Sequence, residues 1–156
     1  TKGGNTEFAD MRAAYDALDD ETKFEVEDLV CEHSQLFSRG KIGFTDFTKE
    51  ERDRFSPVRQ VLVRRHPVTG RKSLYLSSHA GGIIGWPVPE ARIFLQDLAE
   101  HATQRQFVHS HVWRVGDLVI WDNRQVMHRA RPFPDAEPRD MRRTTLAGDG
   151  LTTAQQ

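Results

Sequence analysis

Residues 116–133, with the sequence GDLVIWDNRQVMHRARPF, decide the fold class that this chain is predicted to have. The apolar run at the start of 118–123 predicts a buried strand, and alternation in 125–130 predicts a second strand. The other predicted strands share such alternation or a high content of β-branched residues, and they lie at 58–66, 71–79, 106–113 and 141–148. Short connections between such strands are typical of an antiparallel sandwich or jelly roll.

Helices are predicted where apolar residues recur at helical spacing, in 7–18, 19–30 and 89–103. Glycine and proline interrupt 36–57 and 80–89, so these segments are predicted to be loops, with a possible helical turn at 48–55. The predicted fold class is therefore mostly β with flanking helices. We expect one domain over residues 1–150 and a disordered tail over 151–156.

The balance of charge argues against a surface that binds nucleic acid. Of 156 residues, 22 are Lys or Arg and 23 are Asp or Glu, so the net charge is −1. A surface that binds nucleic acid through bulk charge needs an excess of basic residues. The single cysteine, Cys31, cannot form an intrachain disulfide and is typical of a reducing compartment. Because no apolar run approaches membrane-spanning length and no signal peptide is visible, we expect a cytoplasmic protein without a membrane partner.

Two arginines near the C-terminal end of the chain predict an anion site. If 125–130 and 139–146 pair as a hairpin, His128 faces Arg139, and Arg143 shares the face of Arg139 at a distance of roughly 13 Å. Arginine is rarely buried without an anion, and its planar fork suits carboxylates. The alternative is that both arginines face solvent and pair with Glu137 or Asp140.

The segment GDLVIWDNRQVMHRARPF, followed by RDMRRTTLAGD at 139–149, resembles the C-terminal motif of the taurine dioxygenase/2,4-dichlorophenoxyacetate dioxygenase family. The segments GGNTEFADMRAAYDAL, HPVTGRKSLYLSSHA and EHATQRQFVHSHVWRVGDL also fit, so the resemblance covers nearly the whole chain and is closest to the aryloxyalkanoate branch. It implies a double-stranded β-helix (a jelly roll), incomplete at the N-terminus. It also implies an oxidoreductase that depends on Fe(II) and 2-oxoglutarate and hydroxylates a small anionic substrate with O2.

The resemblance assigns a role to individual residues of this chain. His128 matches an iron-binding histidine of the family, while Arg139 and Thr6 match the residues that hold the far carboxylate of 2-oxoglutarate. Arg143 matches the arginine that meets the anionic group of the substrate. His79 matches, more loosely, a residue that lines the substrate pocket. Trp121 and Asn123 belong to the motif, and we expect them to pack and to shape the turn.

The sequence departs from the family at the iron site. The family's other two ligands form a His-x-Asp or His-x-Glu motif upstream of the segment that matches GGNTEF, and none of the seven histidines here is followed by such an acidic residue. The chain thus holds one iron ligand of three, and we expect it to begin downstream of that motif. The start TKGG, which lacks a methionine, agrees with this expectation.

Several functions remain open at this point. The favoured substrate is an aryloxyalkanoate such as 2,4-dichlorophenoxyacetate, cleaved to a phenol and glyoxylate in the degradation of aromatic compounds. The alternatives are a taurine or alkylsulfonate dioxygenase and a non-catalytic, anion-binding β-sandwich fragment. A three-histidine metal site of His109, His111 and His128 is disfavoured because no glutamate follows the HSH pair. The family also implies a possible homo-oligomer.

Overall fold

The computed structural model describes residues 3–148, 150 and 152–154, which form antiparallel sheets flanked by helices. The strands are β1 (Thr6–Asp10), β2 (Val30–His33), β3 (Val58–Val61), β4 (Val63–Arg65), β5 (Lys72–Leu74), β6 (Ala80–Ile83), β7 (Val108–His111) and β8 (Val126–Ala130). The helices are α1 (Met11–Asp16), α2 (Asp20–Val26), α3 (Gln35–Gly40), α4 (Lys49–Arg54) and α5 (Val88–Ala102). No helix in the described part of the chain is long and apolar enough to cross a membrane.

The sheet that positions the candidate site has the strand order β7–β1–β8. Both outer strands run antiparallel to β1, so β7 and β8 do not contact each other through backbone hydrogen bonds. The register places Phe8 of β1 between His109 of β7 and His128 of β8, and Thr6 between His111 and Ala130. Because side chains alternate along a strand, these six residues share one face of the sheet.

The opposite face of this sheet belongs to the hydrophobic core. Ala9 of β1 is buried there, and Val108 and Met127 of its neighbours pack against the core cluster. The core also contains residues from α1, α5 and the second sheet, whose strand order is β3–β2–β6. The hairpin β4–β5 adds Leu74, which is 1% exposed, while Leu62, between β3 and β4, is completely buried. The sheet therefore has one face in the core and a second face that carries Thr6, Phe8 and His128.

The sequence predicts one helix over 7–18, and this prediction is wrong for its first four residues. Residues Thr6–Asp10 form β1, and the helix begins only at Met11. The Asp10 carboxylate accepts hydrogen bonds from the backbone N–H groups of Arg12 and Ala13, at 2.9 and 3.2 Å. Up to this N-cap, the pairing of residues 6–10 with both β7 and β8 outweighs the local helical pattern. Extended backbone is favoured there because it forms hydrogen bonds with a strand on each side.

Two predicted strands of the C-terminal part are not strands in the structure. Neither 118–123 nor 141–148 has a strand assignment, and Leu118, Ile120 and Leu146 are largely exposed. The hairpin predicted between 125–130 and 139–146 is also wrong, because β8 pairs with β1 and His128 lies opposite Phe8 rather than Arg139. Apolar composition alone does not form a strand when no described strand lies beside the segment to accept its backbone hydrogen bonds.

Several segments predicted to be loops or disordered have regular structure. Ala80–Ile83 form β6, which pairs with β2, and α3 and α4 lie within 35–54. In the predicted tail, Thr152–Ala154 form a 3-10 helix. Thr152 is 2% exposed there, and its hydroxyl accepts a hydrogen bond from the Val61 backbone N–H at 2.9 Å. The other residues of 151–156 lie outside the described part of the chain.

Candidate functional site

His128 lies in the middle of β8, on the face of the sheet that points away from the core. Its ring centroid is 5.1 Å from that of Trp121 and 6.2 Å from that of Phe8. Burial of the ring, followed by the positive charge of Arg143, holds the pKa of His128 below its ordinary value. The imidazole is therefore neutral near pH 7, and a neutral imidazole nitrogen can bind a metal ion.

Thr6 shares this face and is a diagonal neighbour of His128 across the β1–β8 ladder. Its side chain is 8% exposed. The indole N–H of Trp113 donates a hydrogen bond to the Thr6 hydroxyl oxygen, with a separation of 2.9 Å between Nε1 and Oγ1. Thr6 is thus a nearly buried hydroxyl whose oxygen already accepts one hydrogen bond.

The guanidinium of Arg139 lies beside the residues that precede Thr6. Its central carbon is 4.7 Å from the ring centroid of Phe133, and its Nε donates to the Met141 sulfur at 2.8 Å. A Cβ built on Gly4 would lie only 2.5 Å from Arg139 Nη1. Arg139 therefore occupies the space that a glycine at position 4 leaves free.

The alternative was that Arg139 and Arg143 face solvent and pair with Glu137 or Asp140, and the structure agrees with it only in part, since Arg143 is exposed and Arg139 is half-buried. Within residues 3–148, neither arginine forms an ion pair with a carboxylate, and Asp140 instead lies 3.9 Å from Arg142. The charge of Arg143 contributes to lowering the pKa of His128, after burial of the ring. Two guanidinium groups without a carboxylate partner next to one site are suited to anionic ligands.

His79 adjoins the β3–β2–β6 sheet rather than the β7–β1–β8 sheet. It precedes β6, and its ring nitrogen Nδ1 is 2.8 Å from the Ser38 hydroxyl of α3. Its backbone N–H donates to Ser77, whose hydroxyl also lies 3.0 Å from His33 Nδ1. The structure thus places Thr6 and His128 on one sheet face and Arg139 beside Gly4, and it places His79 among hydrogen bonds with Ser38 and Ser77.

The three-histidine alternative does not form a metal site in the structure. His109 and His128 share a face, but Phe8 lies between them in the register. The third member, His111, has its Nε2 at 3.0 Å from Asp117 Oδ2. Among the described residues there is no group of three or more His, Cys, Asp or Glu side chains that could hold a metal ion.

The same observation tests whether an iron site of the two-histidine, one-carboxylate type can be built from this chain. Such a site needs three protein ligands with open positions between them. His128 is one suitable ligand, and no second or third ligand accompanies it in the described residues. The described residues therefore do not fit a complete iron site, although a hydroxyl such as that of Thr6 and a guanidinium such as that of Arg139 are groups that can bind a carboxylate.

Sequence reasoning missed two residues that shape this site. Trp113 binds the Thr6 hydroxyl, and Phe133 packs beneath the Arg139 guanidinium. No periodic pattern identifies such contacts, because Trp113 is 107 residues from Thr6 and follows the end of β7. Trp121 and Asn123 behave as predicted, since the Trp121 indole N–H donates to Asn123 Oδ1 at 2.8 Å and shapes this turn.

Comparisons with known proteins place this geometry in context. A family model described as "Taurine catabolism dioxygenase TauD, TfdA family" matches residues 1–145. The chain is 49% identical over 149 residues to the alpha-ketoglutarate-dependent 2,4-dichlorophenoxyacetate dioxygenase of Cupriavidus pinatubonensis, covering 96% of this chain and 52% of that protein. It is 42% identical over 151 residues to the (S)-phenoxypropionate/alpha-ketoglutarate-dioxygenase of Delftia acidovorans, covering 94% and 52% respectively. The chain thus spans about half the length of the curated relatives it matches.

Solved structures are similar in both fold and sequence. The crystal structure of AAD-2 in complex with Mn(II) and N-oxalylglycine has a TM-score of 0.93 and 66% identity, covering 96% of this chain and 60% of that chain. A taurine dioxygenase from Burkholderia xenovorans has a TM-score of 0.69 and 30% identity, covering 83% and 41%. The similarity is thus greater to AAD-2 than to this taurine dioxygenase.

Proposed function

Because the chain belongs to the taurine catabolism dioxygenase TauD, TfdA family, we propose that it forms the C-terminal part of an Fe(II)- and 2-oxoglutarate-dependent dioxygenase. The observation that carries this proposal is that Thr6 and His128 share one face of the β7–β1–β8 sheet, while the Arg139 guanidinium lies beside Gly4, two residues before Thr6. The charge of Arg143, which lowers the pKa of His128, supports a role for this arginine at the same site. One imidazole, one buried hydroxyl and two arginines together suit one metal ion and two anions.

When bound, Fe(II), 2-oxoglutarate and O2 supply the oxidising chemistry that hydroxylates a C–H bond. This chain contributes one imidazole to the metal through His128. Since the described residues contain no complete ligand set, the proposal assigns the other two ligands to a His-x-Asp or His-x-Glu pair outside residues 1–156. The length of the relatives, about twice that of the matched segment, supports this assignment.

The proposal also extends to the fold and the location of the enzyme. A complete double-stranded β-helix would cover the apolar segment in which Leu118 and Ile120 are now 84% and 86% exposed. Burying such side chains is favourable. The TM-score of 0.93 to AAD-2 supports that fold. We further propose a cytoplasmic location, because Cys31 is a free thiol and free thiols persist in reducing compartments.

Arg139 and Thr6 are proposed to bind the far carboxylate of 2-oxoglutarate. The guanidinium can donate two parallel hydrogen bonds to a carboxylate, and the Thr6 hydroxyl can donate a third. Stacking on Phe133 fixes the plane of the Arg139 guanidinium, so less rotamer entropy is lost when the anion binds. These residues would therefore orient the cosubstrate rather than react with it.

Arg143 is proposed to bind the anionic group of the substrate near His128. Holding that group sets which C–H bond faces the metal, and such positioning accounts for a large part of a rate enhancement. For an aryloxyacetate, hydroxylation of the carbon next to the ether oxygen gives a hemiacetal. The hemiacetal breaks its C–O bond to release a phenol, and the remaining two carbons leave as glyoxylate.

An aryloxyalkanoate substrate is preferred over a sulfonate or sulfate ester. The chain is 49% identical to a 2,4-dichlorophenoxyacetate dioxygenase, and 31% identical to the alkylsulfatase of Acinetobacter baylyi. A guanidinium such as that of Arg143 binds carboxylates and sulfonates alike. The preference therefore rests on overall similarity and not on the charge of the site.

The test is an assay of a protein that carries these residues together with an upstream His-x-Asp or His-x-Glu segment. Succinate released from 2-oxoglutarate is measured with Fe(II), with and without a panel of aryloxyacids and alkylsulfonates. We expect aryloxyacids to stimulate succinate release and to yield a phenol. Stimulation by sulfonates alone would favour the sulfonate alternative, and no succinate release with any compound would favour a non-catalytic, anion-binding domain.

The proposed division between the two arginines is tested in the same assay. Arg143→Ala should raise the KM of the aryloxyacid at least about tenfold more than that of 2-oxoglutarate, because a charged hydrogen bond contributes roughly 1.5–3 kcal/mol. Arg139→Ala should do the reverse. Arg142→Ala is the matched control, because the Arg142 side chain is highly exposed and its charge faces Asp140, with 3.9 Å between Nε and Oδ1. Equal effects of Arg139→Ala and Arg143→Ala on both ligands would contradict the division.

A further inference from the structure

We propose that Trp113 is a positioning residue that fixes the Thr6 hydroxyl as a hydrogen-bond donor toward the carboxylate held by Arg139. This inference rests on the proposed function, because it concerns the binding of 2-oxoglutarate. It adds a residue to the site that neither the sequence pattern nor the similarity to known proteins assigns a role.

The direction of one hydrogen bond carries the argument. An indole N–H can only donate, so the 2.9 Å contact between Trp113 Nε1 and Thr6 Oγ1 makes the threonine oxygen the acceptor. The Thr6 hydroxyl proton must then point away from Trp113. Trp113 provides the one hydrogen bond that the structure shows for this hydroxyl in the described residues, so the proton is available to a ligand.

The Arg139 guanidinium lies close to the residues that lead into β1, where Thr6 is the first residue of the strand. Arg139 Nη1 is 2.5 Å from the position of a Cβ added to Gly4, two residues before Thr6. Because Thr6 is 8% exposed, water has little access to compete for its proton. A carboxylate placed against Arg139 would therefore meet an oriented hydroxyl donor as well as a cation.

Contacts with His111 and with the turn over residues 114–117 hold the indole of Trp113 in place. The His111 ring packs against the indole edge to face, with centroids 4.6 Å apart and planes at 82°. His111 Nε2 lies 3.0 Å from Asp117 Oδ2, and the same carboxylate oxygen accepts the Arg114 backbone N–H at 2.9 Å. The turn over residues 114–117 thus limits the movement of the indole that orients Thr6.

A double-mutant cycle separates positioning from packing. Trp113→Phe keeps an aromatic ring and removes the donor, and Thr6→Val keeps the shape and removes the hydroxyl. The dissociation constant of 2-oxoglutarate is measured by NMR titration of the chain without metal. We expect each single change to weaken binding about three- to tenfold, the range for one lost hydrogen bond. The double variant should be no weaker than Thr6→Val alone, because both changes remove the same oriented donor.

Further variants and outcomes make the test decisive. Thr6→Ser keeps the hydroxyl and should bind 2-oxoglutarate as the unchanged protein does, while Trp86→Phe, next to Phe94, is the matched tryptophan control. Losses that add in the double variant, or no loss with Trp113→Phe, would overturn the role of Trp113 and leave the proposed function standing. Equal binding by the unchanged protein and Arg139→Ala, or binding by neither, would refute the proposed anion site and this inference with it.

Discussion

Gly4 shows how a residue without a side chain can determine the position of a charged one. Its φ of +69° lies in the left-handed region that favours glycine, and Arg139 Nη1 lies 2.5 Å from the position of an added Cβ. Any other residue here would both strain the backbone and displace the guanidinium. The proposed anion site therefore depends on Gly4 as well as on the arginine.

Gly4→Ala should weaken binding of 2-oxoglutarate by about tenfold or more, because Arg139 must move and one charged hydrogen bond is worth roughly 1.5–3 kcal/mol. The dissociation constant is measured by NMR titration. Gly70→Ala is the matched control, since Gly70 has a φ of +68° and nothing within 4 Å of an added Cβ. Equal loss of affinity in both variants would show that backbone strain, and not displacement of Arg139, is responsible.

His33 makes the stability of the chain dependent on pH. Burial, followed by the charge of His79, lowers the pKa of His33 to about 4, whereas an unfolded histidine titrates near 6.5. Between these values the unfolded chain binds more protons than the folded chain, so the free energy of unfolding falls as the pH drops from 6.5 to 4. Allowing for the partial exposure of the ring, this loss is on the order of 2 kcal/mol.

Urea unfolding at several pH values checks this prediction. His33→Gln should reduce the loss of stability between pH 6.5 and pH 4, while His109→Gln, a change at an exposed histidine, should leave it unaltered. If the His33 variant and the unchanged protein lost the same stability over that range, titration of His33 would not be the cause.

At the scale of secondary-structure elements, the junction between β1 and α1 is the most informative. Asp10 ends the strand and caps the helix, and its carboxylate also pairs with the Arg12 guanidinium at 2.7 Å. The hydrogen bond from the Arg12 side chain is the largest cause that holds the pKa of Asp10 below its ordinary value, and the bonds from the backbone N–H groups add to it. One side chain thus sets where extended backbone changes to helix.

Asp10→Ala should lower the free energy of unfolding by about 1–2 kcal/mol, the usual cost of removing an N-cap. Urea unfolding at neutral pH measures the change. Asp10→Asn keeps the capping oxygen and should lose less. Asp46→Ala, the same substitution at an exposed loop position, should have almost no effect, and a loss there equal to that of Asp10→Ala would contradict the capping role.

Prediction from the sequence succeeds where an element is determined by its own residues. The stripe on 89–103 predicts α5, and the PVTG turn predicts the hairpin β4–β5, because a local pattern decides each of them. It fails where a distant partner decides. Residues 6–10 have a helical pattern but pair with two strands from the C-terminal third, and 118–123 is apolar but finds no strand beside it.

The candidate site follows the same division. The resemblance of short motifs predicts that His128, Thr6, Arg139 and Arg143 form one site. The structure places Thr6 and His128 on one sheet face and Arg139 beside Gly4, and the site itself stays a prediction. The hairpin that was expected to bring Arg139 to His128 is wrong, since Arg139 reaches the site beside Gly4 instead. Contacts such as Trp113 with Thr6 depend on the path of the chain between them, which no local pattern contains.

At the scale of the whole molecule, the same substitution is expected to have different effects in the core and at the exposed apolar residues Leu118 and Ile120. Leu62→Ala removes a completely buried side chain and should cost about 2–5 kcal/mol. Leu118→Ala changes a side chain that is 84% exposed and should alter stability by less than about 0.5 kcal/mol. Urea unfolding measures both, and a large loss with Leu118→Ala would show that this face is covered in solution.

The position of β1 between β7 and β8 also determines the order in which the chain can fold. Its five residues pair with strands that lie about a hundred residues further along, so much loop entropy is lost before these contacts form. A ribosome adds about 5–20 residues each second, so β1 waits at least several seconds for its second neighbour. During that time Thr6 and Phe8 belong to an unpaired strand, whose free backbone N–H and C=O groups can pair with other chains.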